Sequence, residues 1–201
     1  MPLQNRVTPF GEIVAVPERG TLMGNRGVLH EPDRRIVRDS HVRRWIACRL
    51  EFRGRHRCVM PPGRWTALFF LDEATAFAAG HRPCAECRHG DYVRFRQAWP
   101  HTSSSVDDVD RILHAERRAG PWRKRTFLSQ LEALPTGAFV ALDGAAWLVY
   151  DDSLVRWAPA GYSDHQPRFD GSVTVLTPPS LVDVFRNGYV PTIHPSANEP
   201  T

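Results

Sequence analysis

Between Phe69 and Cys87 the chain carries a run of signals that leaves few folds open. Phe69-Phe70-Leu71 ends a short apolar strand. Asp72 stands where a helix N-cap accepts a backbone N–H, and an alanine-rich helix follows from Glu73 to Ala79. Gly80 takes the position past the helix end where left-handed backbone is common. Pro83 fits the first turn of a second helix reaching about Trp99, with Tyr92, Phe95 and Trp99 on one stripe. At its start stand Cys84-Ala85-Glu86-Cys87. Two thiolates at this spacing point the same way, and the helix dipole favours their charge, so the pair suits one tetrahedral zinc ion. A redox pair and two buried thiols are the alternatives. A redox pair would follow the first strand of a thioredoxin-like unit, which this context is not.

Two aromatics, a short alanine-rich helix and then Gly80-His81-Arg82-Pro83-Cys84-Ala85-Glu86-Cys87 resemble the zinc-binding module of the Ada family of adaptive-response DNA repair proteins, similar modules of which are appended to some bacterial nucleases. The resemblance covers residues 45–90. It implies zinc and a role in DNA repair or processing, and it places two more cysteines upstream of the short helix. Cys58, 26 residues before Cys84, matches the second of these. The first falls on Gly54, which has no side chain to bind metal or accept a methyl group, so phosphotriester repair is not expected. The fourth ligand then comes from elsewhere. His56, two residues before Cys58 and so on the same strand face, is the first candidate. Cys48, on an apolar face with Ile46 and Leu50, is the alternative, and His81 and His89 flank the motif.

Charge points to the partner. Residues 1–130 hold 23 basic and 14 acidic side chains, a balance of +9, whereas residues 131–201 hold 3 and 8, a balance of −5. Ten arginines lie between Arg34 and Arg64 against Asp39 and Glu51. Such a block suits a polyanion, since each arginine that meets a phosphate releases condensed counterions. Nucleic acid, DNA in preference to RNA, is the expected partner, with Arg43, Arg44, Arg53, Arg55, Arg57 and Arg64 as contacts. The use of 25 arginines and one lysine, Lys124, is also a bias of the whole chain.

The rest of the chain sets the architecture. Apolar Ile46, Cys48, Leu50 and Phe52 alternate with polar residues, which predicts a strand over Arg44–Arg53, a turn at Gly54 and a return over His56–Met60. Helical patterns follow over about Asp107–Arg118 and Lys124–Leu134. Ala138–Leu142, Asp143-Gly144 and Ala145–Tyr150 form a strong hairpin signal, further strands are expected over Leu154–Trp157 and Val173–Leu176, and Ser180 with Asp183 opens a last helix. The expected class is α+β: a basic zinc module over 1–100, a helical connector over 101–136 and a β-rich unit with a terminal helix over 137–201. Apolar runs such as Ala67 to Leu71 fall far short of the roughly 20 residues that cross a bilayer. With no signal-like N-terminus and only four cysteines, the expected setting is the cytosol, with no membrane partner.

Weaker constellations keep an enzyme open as the rival: a metal-dependent nuclease, glycosylase or deaminase acting on nucleic acid or nucleotides. His114-Ala115-Glu116 with the cysteine pair resembles a zinc deaminase signature in reversed order. His30 and His165 complete the catalytic candidates. Met23-Gly24-Asn25-Arg26-Gly27 could line a phosphate or base pocket, and Trp122 beside Arg123-Lys124-Arg125 could stack a base while touching a phosphate. A third possibility is a structural zinc protein with a protein partner.

Overall fold

The computed structural model describes residues 1–54, 58–101 and 104–198. The described residues contain both helices and sheets, as an α+β chain requires. The first sheet is built from β1 (Gln4–Val7), β2 (Ile13–Ala15), β3 (Leu22–Asn25), β4 (Ile46–Arg49), β5 (Leu68–Phe70) and β6 (Arg82–Pro83), in the order β2-β1-β5-β3-β4-β6. The second is built from β9 (Phe127–Gln130), β10 (Phe139–Leu142), β11 (Ala145–Tyr150), β12 (Ser153–Ala158), β13 (Gly161–Pro167) and β14 (Ser172–Val175), in the order β13-β12-β11-β10-β14-β9. A short ribbon, β7 (Arg118–Gly120) with β8 (Arg123–Lys124), lies between them in sequence. Four helices complete the set: α1 (Glu73–Ala78), α2 (His89–Ala98), α3 (Val106–Arg117) and α4 (Pro179–Arg186).

Local chemistry explains the clearest boundaries. Asp72 caps α1 by accepting the N–H of Thr75, and Gly80 ends the turn at φ +85°. A side chain at Gly80 would also collide with Arg117, whose Cδ would lie 2.5 Å from the added carbon, so glycine is required twice over. Ser105 and Asp108 form a capping box on α3. Asp143 and Gly144 both have positive φ and turn β10 into β11 with Leu142 opposite Ala145, as the hairpin signal predicts.

Three expectations are corrected. The strand at Ile46–Arg49 pairs with β3 and, in parallel, with β6, while Cys58–Met60 form no strand; residues 55–57 of the expected return strand lie outside the described residues. Arg82 and Pro83 are held extended by that parallel pairing, so helix α2 begins only at His89. Lys124–Leu134 is not a helix: Phe127–Gln130 pairs with β14, and only Leu131–Ala133 turns.

The two sheets meet over α1. Leu71, Ala74 and Ala78 pack with Phe139, Leu148, Val155 and Tyr162, while Val140, Val149, Leu154 and Val175 fill the opposite face of the second sheet. Phe77 on α1 reaches a helical cluster with Phe95, Trp99, Leu113 and Phe185. The first two acids of the α1 region are buried and fully engaged. Asp72 also accepts from Tyr162 Oη and the N–H of His194, and Glu73 accepts from Arg88, Tyr189 Oη and the N–H of Thr192. The chain's last segment is thereby fastened to its middle.

Candidate metal centre

The first sheet presents two faces, and period-two alternation decides which residues reach each. One face carries Val7, Leu29, Ala47, Leu68 and Phe70. The other carries Met23, Cys48 and Ala67, joined there by Cys84 and Cys87. Cys48 sits on β4 opposite Met23. The parallel pairing of β4 with β6 sets Ala47 against Pro83, and the N–H of Cys84 donates to Ala47 O at 2.9 Å, which brings Cys84 alongside Cys48. The chain turns over Ala85–Arg88, with Arg88 N donating to Cys84 O, and returns Cys87 to the same place.

The outcome is three cysteine sulfurs within 4.8 Å of one another, with residue exposures of 5%, 8% and 5% for Cys48, Cys84 and Cys87. Partly buried Ile46, Phe52, Trp65 and Phe69 wall them in. The thiol of Cys48 donates to the other two, and this is the largest influence pulling Cys84 down to about 5 despite its burial; the backbone N–H groups of Cys87 and Glu86 add to it. Cys87 is pulled down by the same Cys48 donor, against burial, with help from the N–H of Arg49. Cys48, which gives up its hydrogen bonds to both, is pushed up. The group therefore favours thiolates at the Cys-x-x-Cys pair, the form that binds metal.

A metal ion fits this donor set. Zinc–sulfur bonds of about 2.3 Å place tetrahedral sulfurs roughly 3.8 Å apart, within the separation seen here. Three soft sulfurs in an apolar surround select a thiophilic ion over a hard one. The group can hold a metal, and thiolate donation would make the bound ion a poor Lewis acid.

The other candidates fall in different places. Cys58 is exposed and stands outside the three-cysteine group. His56, Arg55 and Arg57 lie outside the described residues. Arg43, Arg44, Arg53 and Arg64 are exposed, and Arg43 and Arg44 line a cavity of about 840 Å³ that also contains Asp107 and Asp110. His81 is buried between Trp45 and Phe70, and burial with Arg26 and Arg117 nearby keeps it neutral. His89 is exposed, with Nδ1 3.1 Å from Ala85 O.

The catalytic candidates are dispersed. His30 is buried and bonded to Thr66 Oγ1. His114 lies against Trp45, has its Nδ1 3.2 Å from Arg117 and its Nε2 3.4 Å from Arg118, and is held near 4 by burial and those cations. Glu116 binds the N–H and hydroxyl of Ser180, and His165 is exposed on β13. None of the four joins the cysteine group, so a deaminase-like set of His114, Glu116 and the pair is not assembled.

Spacing along the chain could not have found Cys48, because its place depends on the pairing of β4 with a segment far downstream. Among the described residues no helix is long and apolar enough to cross a membrane. Comparison with protein-family models, with curated proteins and with solved structures finds no match for this chain.

Proposed function

We propose that Cys48, Cys84 and Cys87, with Cys58 as the fourth donor, hold a structural zinc ion that braces an arginine-bearing surface for nucleic acid. The observation that carries this reading is the convergence of three buried sulfurs from two distant segments. Cys58 is assigned because its loop starts and ends at the sulfurs: Phe52 enters it and Trp65 leaves it, and both pack on the cysteine group. Four thiolates close the shell, leave no open position and give the ion a role in folding. Gly54 stands where the resembling module has its reactive cysteine, so binding is favoured over methyl transfer.

Arg43, Arg44, Arg53 and Arg64 are all exposed. These suit phosphates of a strand and would make affinity fall steeply with salt. Elemental analysis of protein purified without chelators tests the metal: one zinc per chain is expected in the wild type and in His56→Ala, with loss in Cys84→Ser and Cys58→Ser. Less than half a zinc per chain in the wild type overturns it. Charge reversal at Arg44 and Arg64 should flatten the slope of log affinity against log salt; no binding of single- or double-stranded DNA at low salt removes the partner.

A further inference from the structure

Two sequence segments far apart meet on the sheet face opposite the cysteines. Arg26, just after β3, and Trp122, Arg123 and Lys124 of the β7–β8 ribbon line one cavity of about 340 Å³ together with Trp45, Arg117, Arg118 and Asp39. Five cations face it, and Glu12 and Asp39 are its only acids. Asp39 is already engaged, accepting from Nε and Nη2 of Arg118 and from the backbone N–H of Trp122.

Arg118 is paired with Asp39, whereas Arg26 and Arg117 are held in place without a carboxylate partner. Arg26 is 1% exposed and Arg117 2% exposed, and both guanidinium groups lie over the ring of Trp45, at 4.0 and 3.9 Å. Arg26 donates to Gly11 O and His81, yet its Nη2 is buried without a partner, as is Nε of Arg117. Buried cations with unused donors are costly unless something anionic satisfies them. Lys124, spent on the single carbonyl of Ala78, is pushed down to about 7 by burial and by Arg26 and Arg117, which reports the same uncompensated field.

We propose that this cavity is a binding site for the phosphate monoester of a nucleotide, free or at the 5′ end of a nucleic-acid strand. A phosphate monoester brings close to two negative charges and three acceptor oxygens, which match a fork of guanidinium donors and an ammonium. The volume lies near the floor of the roughly 300–1,000 Å³ range of ligand pockets, room for one nucleotide and not for a duplex. Trp122 stands at the rim, 58% exposed in left-handed backbone, with its N–H fixed by Asp39. Its ring offers a platform on which the base stacks. The site is independent of the zinc reading, since it draws on the other face of the sheet.

Titration calorimetry on the full chain at low salt tests it, with inorganic phosphate, AMP, adenosine, and an oligonucleotide with and without a 5′-phosphate. Binding of AMP or of the phosphorylated oligonucleotide at least about tenfold tighter than of its unphosphorylated counterpart is expected, with inorganic phosphate as a competitor. AMP binding as tightly as the phosphorylated strand identifies a free nucleotide, and a strong preference for the strand identifies its end. Lys124→Met should weaken phosphate and AMP about tenfold, and Trp122→Ala should weaken AMP while leaving phosphate unchanged. Arg26→Met is the more severe variant, and Trp122→Ala at the exposed rim covers the case in which Arg26→Met does not fold. Arg156→Gln, exposed on β12 of the second sheet, should leave AMP affinity unchanged. Equal binding of phosphorylated and unphosphorylated ligands, or no binding of any phosphate, overturns the proposal.

Discussion

The two sheets solve the problem of an interior in opposite ways. The second sheet is apolar on both faces: Phe139 and Leu148 look one way, Val140, Val149 and Leu154 the other, and all are inaccessible. The first sheet has shorter strands, and its surroundings are threaded with charge. Arg26, Arg82, Arg88 and Arg117 are buried around it. Arg82 holds Asp110 through two bonds of 2.8 Å, and Arg88 holds Glu73 at 2.6 Å. Part of the positive charge of the N-terminal half is therefore internal, with Arg82 and Arg88 matched to carboxylates and Arg26 and Arg117 not. Hydrophobic burial makes the second sheet self-sufficient, while the first depends on matched partners and, in our reading, on an ion.

The sharpest test of that difference is Cys84→Ser. It should release the metal and unfold the first sheet while sparing the second, so that hydrogen exchange quickens over residues 22–49 and stays slow over residues 139–175. The cost is several kcal/mol, a fraction of the roughly 10–16 kcal/mol with which structural zinc binds small peptides. Uniform loss of protection in both sheets would erase the distinction. Arg82→Met comes next: it strands Asp110 in the interior and should cost about 3–5 kcal/mol in denaturant unfolding. Arg82→Met with Asp110→Leu should recover most of that loss, because the pair as a whole is nearly replaceable. Leu148→Ala, in the apolar sheet, should cost about 2–5 kcal/mol, with no second-site polar change to rescue it.

The smallest effect is one of pH. Lys124 binds its proton less readily when folded, at about 7 against an ordinary 10.5. Between these values the unfolded chain holds the extra proton, so Lys124 makes stability rise with pH across about 7 to 10. Lys124→Met should flatten that rise in thermal unfolding scans, and an added phosphate ligand should do likewise by restoring the ammonium. A slope identical in wild type and variant would assign the field to other groups.

What the sequence reveals follows the same division. The Asp143-Gly144 hairpin, the α1 helix between Asp72 and Gly80, and the capped start of α3 are legible because each depends on residues a few positions apart. Where pairing is distant, local reading fails. Phe127, Leu131 and Leu134 have helical spacing, yet β14 captures Phe127–Gln130 into a sheet. Met23-Gly24-Asn25 reads as a glycine-rich turn, yet it is the strand that lies between β4 and β5. The cysteine pair stands out at once from its spacing, whereas Cys48 owes its position to β4 meeting Arg82 and Pro83. Cys58 is the choice that linear distance suggests, and the register of a parallel bridge brings Cys48 to the pair as well. The pocket around Trp45 shows the same limit: its glycine turn and its basic ribbon are each visible in the sequence, and only the fold joins them.

The fastening of residues 189–194 to Asp72 and Glu73 has a consequence for how the molecule is made. During synthesis both carboxylates emerge long before Tyr189, Thr192 and His194, their eventual donors. Until residues 189–194 emerge, Asp72 and Glu73 have unfilled acceptor positions at the junction of the two sheets. The nascent N-terminal half therefore stays unfinished however early its strands pair, until residues 189–194 arrive.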